Sequence, residues 1–236
     1  AFQSSLGGPK WVGDADLRFS FGDITFRYGL QYVGPMDGNE FVEEGLLAAP
    51  VVDGDPVDFD LLAEEEARVR AIVGPIVFGV DDQTMESVVL DLLVEQGLRM
   101  ATAESMTGGM IGSRLTDVPG SSRAFVGSVV AYDGDVKRSL LGVPDGPVVC
   151  EAAGTAMAAN VCGVLGADVS VAVTGVAGPD PQEGEEPGTV WMATCVDGVV
   201  DVVRTRWPFD RTRIRQFTVI TVLDALRLRL LARRDA

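Results

Sequence analysis

From residue 81 onward, short apolar runs alternate with segments of helical periodicity, and this alternation limits the fold more than any other feature. The runs "LRMATA", "AFVGSVVAY" and "ADVSVAVTG" have the length and composition of buried strands. The segments "DVKRSLLG" and "EAAGTAMAANVCGVLG" lie between the second and third of these runs and are predicted helices. Strands that alternate with helices form a sheet covered by helices on both faces. We therefore expect a three-layer α/β/α domain with a mixed sheet over residues 81–236.

The other elements of this region have recognisable boundaries. Asp82 or Thr84 is positioned to cap a helix whose apolar residues recur at helical spacing, with Gly97 closing it. A second helix is expected in "TGGMIGSRL", beginning just after Ser105. The runs "GTVWMATCV" and "VVDVVRTRW" are predicted to be neighbouring strands around an Asp-Gly turn. A long amphipathic helix is expected from Asp210 to the end of the chain.

The N-terminal third has a different pattern, which predicts a small separate domain. Residues 17–32 alternate apolar and polar side chains around Gly22-Asp23, as a β-hairpin does. The segment "DLLAEEEARVRAIVG" has an apolar helical face and a glycine stop, formed by Leu62, Val69, Ile72, Val73 and Gly74. Up to residue 80 the chain carries 14 acidic and 5 basic side chains. We therefore assign residues 1–80 to a small α+β accessory domain.

Composition excludes several classes of function. The three cysteines, Cys150, Cys162 and Cys195, are odd in number and lack CxxC spacing, so we expect reduced thiols rather than disulfides or a zinc site. The chain has no histidine and no carboxylates at ligand spacing, so we expect no metal and no cofactor. A net charge of −16 argues against a nucleic-acid partner. With no membrane-length apolar run and no signal-peptide pattern, we expect a cytoplasmic protein without a membrane partner.

Three loops that follow predicted strands carry the chemically capable residues. "AESMTGG" ends at Gly109 and contains a carboxylate, two hydroxyls and two glycines; "YDGDVK" ends at Lys137; "VTGVAGPD" follows the third strand. Ligands of layered α/β folds collect at the carboxyl ends of strands, and glycines before a helix favour anions. Without histidine, a nucleophile at Ser105 needs a lysine or tyrosine as its base. The loops together predict a pocket for a small anion.

Each loop taken alone also has a structural interpretation. Ser105 or Thr107 can simply cap a helix, Lys137 can be an ordinary solvated lysine, and the Gly-Pro pair can be a turn. The prediction of a site therefore depends on all three loops meeting at one edge of the sheet.

Six sequence blocks recur together in a known family. They are "TAESMTGG", "DVPGSS", "VVAYDGDVK" with "LLGV", "GAD" with "AVTGVAGPD", "PGTVW" and "FDRTRIR". Their order and spacing resemble the C-terminal domain of the CinA family, which includes nicotinamide-nucleotide amidases of the PncC type, over about residues 81–232. The preceding segment resembles the part that joins this domain to an upstream nucleotide-binding-like domain, which we expect to be missing here. The hairpin region at residues 1–55 more loosely resembles the family's small linking domain, which is KH-like.

The resemblance implies hydrolysis of the carboxamide of nicotinamide mononucleotide, with release of ammonia. It implies Ser105 as nucleophile and Tyr132 and Lys137 as proton-transfer partners. For Lys137 to act as a base at neutral pH its pKa must fall well below its ordinary value, and burial is the expected cause. The residues expected to bind the nucleotide are Glu104, Thr107, Gly108, Gly109, Thr174, Gly175, Gly178, Arg211 and Arg215.

Those binding residues have separate expected roles. The backbone of residues 107–109 is expected to hold the phosphate, together with Arg211 or Arg215. Glu104 is expected to accept ribose hydroxyls or to orient Lys137, or else to favour the helix dipole as a helix-start carboxylate.

Three positions depart from the family pattern and keep other hypotheses open. Met106 stands where many members have cysteine, Cys150 replaces a serine before the small-residue helix, and Glu186 replaces a common lysine. A thiol is a weaker hydrogen-bond donor than a hydroxyl, so a helix cap or pocket contact should weaken. A second hypothesis is therefore a non-catalytic nucleotide-binding or regulatory module, and a third is a scaffold role in DNA uptake or damage response. Small-residue helices and the resemblance lead us to expect a homodimer.

Overall fold

The computed structural model describes residues 12–21, 24–33, 64, 66–68, 70–72, 74, 77–79 and 82–235. The chain divides into two compact units, Ala1–Asp82 and Gln83–Ala236.

The described part of the first unit contains a two-stranded antiparallel sheet. Its strands are β1 (Val12–Phe21) and β2 (Ile24–Val33), which coincide with the alternating pattern of residues 17–32. Helical residues follow between 64 and 72. The expected turn and the predicted positions 62, 69 and 73 lie outside the described residues, and the assignment of residues 1–80 to a KH-like linking domain stays a prediction.

The second unit is built on a five-stranded mixed sheet in the order β4-β3-β5-β6-β7. The strands are β3 (Met100–Glu104), β4 (Phe125–Val130), β5 (Val169–Gly175), β6 (Thr189–Val196) and β7 (Val199–Arg206). β3 pairs in parallel with both β4 and β5, whereas β6 and β7 are added antiparallel. The carboxyl ends of β4, β3 and β5 therefore lie side by side at one edge.

Helices cover both faces of this sheet, which confirms the predicted three-layer architecture. They are α1 (Met85–Glu95), α2 (Met110–Thr116), α3 (Gly134–Leu141), α4 (Glu151–Leu165) and α5 (Arg211–Arg234). Successive side chains of β3 enter opposite cores, since Met100 packs with α1, α2 and α5 while Ala101 packs with α3 and α4. None of the helices in the described part of the chain is long and apolar enough to cross a bilayer.

Two helix starts differ in how well the sequence predicts them. Thr84, not Asp82, caps α1: its side chain accepts from the Ser87 N–H at 3.2 Å, and Ser87 Oγ accepts from the Thr84 N–H at 3.0 Å. The expected start of α2 just after Ser105 is wrong, because the helix begins at Met110. Gly108 and Gly109 have φ values of +63° and +92°, a left-handed backbone that ends regular structure between β3 and α2.

Candidate active site

A cleft of about 310 Å³ lies at the edge where the three parallel strands end. It is lined by residues that follow β3, β4 and β5, by α3 and by the first turn of α5: Ser105, Met106, Tyr132, Asp133, Gly134, Lys137, Val149, Gly175, Val176, Ala177, Gly178, Asp180, Gln182 and Arg211. Its volume is in the range of small-molecule sites. Six predicted site residues line it, namely Ser105, Tyr132, Lys137, Gly175, Gly178 and Arg211. The other six, Glu104, Thr107, Gly108, Gly109, Thr174 and Arg215, do not.

Ser105 is held in place by the sheet. Its N–H donates to the Val173 carbonyl at 3.1 Å, which continues the β3–β5 pairing one residue past the strand. The residue is 5% exposed, and its hydroxyl has no hydrogen-bond partner among the described residues. Buried polar groups are normally hydrogen-bonded, so a hydroxyl that faces a cleft without a partner is available to a ligand.

Lys137 reaches the same cleft from α3 and is only 2% exposed. Its ammonium has neither an ion pair nor a hydrogen bond with a described residue, and it is not hydrogen-bonded to Ser105 Oγ. Burial lowers the pKa of Lys137 below its ordinary value, because the charged form loses its hydration. The charges of Glu183 and Asp133 act in the opposite direction, whereas that of Arg138 lowers the pKa further.

The composition of the chain makes this lysine more notable. Lys10 and Lys137 are the two lysines among 19 basic residues, and the rest are arginines. Arginine cannot be deprotonated in a protein, whereas a buried lysine can serve as a base. The cleft therefore holds a cation that can lose its proton.

Tyr132 and Arg211 meet at the open side of the cleft. Arg211 Nη2 donates to the Tyr132 hydroxyl oxygen at 3.1 Å, and Arg211 Nη1 donates to the Gly178 carbonyl at 3.0 Å. Tyr132 is 61% exposed. The guanidinium thus joins the loops that follow β4 and β5, which brings together three of the predicted site residues.

Glu104 does not belong to the cleft, which corrects its expected role with ribose or Lys137. Its side chain is fully buried, and its carboxylate accepts from the N–H groups of Gly109, Ile111 and Gly112 at 2.9–3.0 Å. It also accepts from Ser128 Oγ at 3.0 Å. The carboxylate therefore caps the N-terminus of α2 from inside the protein, which is the helix-start alternative.

This capping also bears on the phosphate site expected at residues 107–109, because two of its three N–H groups have partners within the protein. The Gly109 N–H is bound by Glu104 and the Gly108 N–H donates to the Ser105 carbonyl at 3.0 Å, so neither is free for an anion. Arg215 lies outside the cleft and donates from Nη2 to the Thr107 carbonyl at 2.7 Å. Its contact joins the turn before α2 to α5.

Thr174 is likewise structural. Its buried hydroxyl donates to the Val148 carbonyl at 2.7 Å and so fixes the loop before α4 against β5. Gly175 lines the cleft. A larger residue would not fit at this position, because its Cβ would lie 2.7 Å from the Thr189 carbonyl oxygen.

Sequence reasoning missed several lining groups. The Met106 N–H, next to Ser105, has no acceptor among the described residues and can donate to a ligand. Asp133 caps α3 by accepting from the Asp135 N–H at 2.7 Å. Asp180 and Gln182 lie in the loop after β5. Their position in a loop that follows a predicted strand is the sequence feature that could have identified them as lining residues.

Of the three positions that depart from the family pattern, Met106 lines the cleft, whereas Cys150 and Glu186 do not. Cys150 occupies the N-cap of α4 without a side-chain capping bond, and its thiol instead contacts the Pro147 carbonyl at 3.2 Å. The N-cap of α4 therefore lacks a side-chain hydrogen bond, as expected from the replacement of serine by cysteine. Glu186 is exposed and away from the lining residues, so it does not oppose a ligand there directly. In the described ranges, no group of three or more acidic or cysteine side chains is placed to hold a metal ion.

The fold is that of an α/β/α protein, and a buried serine and a buried lysine share a cleft at the carboxyl edge of its parallel strands. Such a cleft is where α/β proteins bind small ligands. A model of the CinA C-terminal domain matches residues 82–230. The chain belongs to the CinA family.

Individual relatives agree with this assignment. A CinA-like protein of Frankia casuarinae is 46% identical over 178 residues, which are 73% of this chain and 41% of that protein. A solved structure titled competence/damage inducible protein CihA from Agrobacterium tumefaciens is 34% identical, with a TM-score of 0.59 over 62% of this chain and 93% of that one. A CinA superfamily protein of Klebsiella pneumoniae is 28% identical, with a TM-score of 0.60 over 64% and 99%. The chain spans about two fifths of the length of the curated relatives it matches.

Proposed function

We propose that the protein is an amidohydrolase that converts nicotinamide mononucleotide to nicotinate mononucleotide and ammonia. The observation that carries the proposal is that one cleft contains both a Ser105 hydroxyl without a hydrogen-bond partner among the described residues and a buried Lys137. An amide needs an activated nucleophile, a donor for the oxyanion and an acid for the leaving amine. Each of these has a candidate in the cleft.

In the proposed reaction, the neutral amine of Lys137 takes the proton of Ser105 as its oxygen attacks the carboxamide carbon. This requires Nζ to come within hydrogen-bond reach of Oγ when the substrate is bound, since catalytic contacts often tighten only in the complex. The Met106 N–H donates to the oxyanion. The carbon–nitrogen bond then breaks, and the amine leaves as ammonia with a proton from Lys137.

Water completes the cycle by attacking the acyl-serine. Lys137 accepts a proton from this water and then passes it to Ser105 Oγ as the nicotinate leaves. Tyr132 accepts its hydrogen bond from Arg211 and so keeps its own O–H to donate to the substrate or the leaving group.

Charge in the cleft is consistent with this substrate. Arg211, at the open side, is the candidate partner of the phosphate, because a guanidinium makes charge-assisted, bidentate contacts with phosphate oxygens. Asp180 offers a carboxylate for the positively charged pyridinium ring. This arrangement replaces the phosphate site expected at residues 107–109.

The test measures ammonia and nicotinate mononucleotide produced from nicotinamide mononucleotide by the full chain. We expect turnover by the wild type and its loss in Ser105→Ala, with substrate binding retained by calorimetry. Binding with no release above that of Ser105→Ala would favour a non-catalytic nucleotide-binding module instead. No binding and no turnover would remove the nucleotide as ligand altogether.

A further inference from the structure

Glu183, in the loop between β5 and β6, has a backbone that its residue type does not favour. Its φ is +53° and that of Gly184 is +83°, between Gln182 and Glu185, which pair with each other through two backbone hydrogen bonds of 3.0 and 2.8 Å. Such turns favour Asn, Asp or Gly, and a left-handed glutamate has a cost of about 1 kcal/mol or more. Strain of this kind persists where the surrounding contacts impose it.

The contacts of the Glu183 side chain account for its position. Oε2 accepts from the Val148 N–H at 2.8 Å and from the Val149 N–H at 3.0 Å. The reach of glutamate is needed to bind both donors from the turn. Val149 lines the cleft, and the Val148 carbonyl is held by Thr174, so this carboxylate fixes one wall of the cleft.

The same carboxylate acts on Lys137. Three charged groups influence its ammonium: Glu183 from the β5–β6 loop, Asp133 at the N-cap of α3, and Arg138, the next residue in the chain. In the described part of the chain, none comes from α4, which packs against α3. Of the two carboxylates, Glu183 has the larger effect, and it lies 46 positions away in sequence.

We propose that Glu183 is a positioning residue for the candidate catalytic lysine: its carboxylate fixes the Val148–Val149 wall of the cleft and holds a negative charge toward Lys137. This inference rests on the proposed amidase function. Burial lowers the pKa of this amine, and the Glu183 charge acts in the opposite direction. A general base works best when its pKa is near the working pH, so the two opposing effects together set the pH range in which Lys137 can accept the serine proton.

Two variants separate the effect of the Glu183 hydrogen bonds to the cleft wall from the effect of its charge on Lys137. Glu183→Gln keeps an oxygen that can accept from both N–H groups but removes the charge, whereas Glu183→Ala removes both. Glu186→Gln is the matched control, because it removes the same charge from an exposed residue three positions further along the loop and outside the cleft lining.

The decisive readout does not depend on turnover. Protein labelled with ¹³C,¹⁵N-lysine has two lysine side-chain signals, from Lys10 and Lys137, and Lys137→Arg assigns them. We expect Glu183→Gln to shift the Lys137 titration to lower pH, because it removes the charge that raises the lysine pKa. Glu186→Gln and the Lys10 signal should not shift. A Lys137 titration that is the same in Glu183→Gln and Glu186→Gln would overturn the proposal.

Kinetics of nicotinamide mononucleotide hydrolysis provide the second readout. In Glu183→Gln we expect the acidic limb of the pH–kcat profile, which reports deprotonation of the base, to move to lower pH with KM little changed. In Glu183→Ala we expect kcat/KM to fall by roughly tenfold, because the wall loses two charge-assisted hydrogen bonds. If the wild type shows no turnover but the Lys137 titration shifts as expected, the amidase function fails while the lysine–glutamate coupling stands.

Discussion

Arg211 Nη2 lies 3.1 Å from the Tyr132 hydroxyl oxygen, which joins the first turn of α5 to the loop that follows β4. The second arm of the guanidinium binds the Gly178 carbonyl. Tyr132 is largely exposed, so this contact orders the open side of the cleft. It places a permanent positive charge at the open side of the cleft.

The first prediction concerns this charge. Arg211→Gln should raise KM for nicotinamide mononucleotide by roughly 10- to 100-fold, because a charge-assisted hydrogen bond is worth about 1.5–3 kcal/mol. The KM for nicotinamide riboside, which lacks the phosphate, should change little. Arg213→Gln is the control, since Arg213 is two residues away on the same helix and does not line the cleft. An equal effect on both substrates would contradict the assignment of Arg211 to the phosphate.

The second prediction concerns the base. Lys137→Arg should reduce kcat by about 10²-fold or more, as much as Lys137→Ala, because a guanidinium stays protonated and cannot accept the serine proton. Steady-state ammonia release measures both variants. Substantial activity in the arginine variant would remove Lys137 from proton transfer.

The third prediction follows from the lowered pKa of Lys137. Burial lowers this pKa in the folded protein, so the unfolded chain binds the proton more readily and wild-type stability rises as pH rises from the folded pKa to the ordinary value of 10.5. Lys137→Met has no charge to bury and should be more stable than the wild type at pH 7. Urea unfolding between pH 6 and about 10 should show this advantage shrinking as pH rises. The exposed-cation variant Arg123→Met should show no such trend.

The fourth prediction separates the two roles considered for Glu104. Glu104→Gln places an N–H donor among backbone N–H groups and should destabilise the protein by about 2–4 kcal/mol. Asp91→Asn, at an exposed position of α1, should change stability by less than about 0.5 kcal/mol. At a temperature where Glu104→Gln remains folded, its KM should match that of the wild type. A raised KM with unchanged stability would restore Glu104 to the substrate site.

The fifth prediction concerns the missing helix cap. Cys150→Ser supplies a hydroxyl at the N-cap of α4 and should stabilise the protein by about 1 kcal/mol in urea unfolding. Cys162→Ser is the comparison, because it introduces a hydroxyl within the helix, where no cap is gained. If Cys150→Ser does not stabilise the protein, the first turn of α4 has no unmet N–H donor for the serine hydroxyl to accept from.

The sequence predicts the sheet and its layers because each element depends on local periodicity. Met100 and Ala101 alternate between two cores, as the period of a strand requires. Ser105 and Lys137 share a cleft because they follow parallel neighbouring strands, which can be inferred before any coordinates exist.

The side-chain partners could not be predicted in the same way. A glutamate at the end of a strand has the same pattern whether it faces a ligand or the N-terminus of α2. The inward position of Glu104 depends on contacts with the N–H groups of residues 109, 111 and 112, which follow the left-handed turn and which sequence periodicity does not specify. Arg211 and Arg215 are one helical turn apart, yet one binds Tyr132 and the other the Thr107 carbonyl. The role of Glu183 depends on contacts across 35 positions, for which sequence periodicity gives no signal.

One part of the site is held rigidly by the five-stranded sheet, and another part lies on a loop that protein engineering could exchange. Ser105 is attached to the ends of β3 and β5, so its backbone cannot move without disturbing the central pairing. Residues 176–188 instead form a single excursion that is closed at its base, where the Gly188 N–H donates to the Val176 carbonyl and the Val176 N–H donates to the Thr189 carbonyl. Grafting that excursion from another family member, with Glu183 retained, is therefore a way to recruit new substrates while the contacts that fix the cleft wall stay in place.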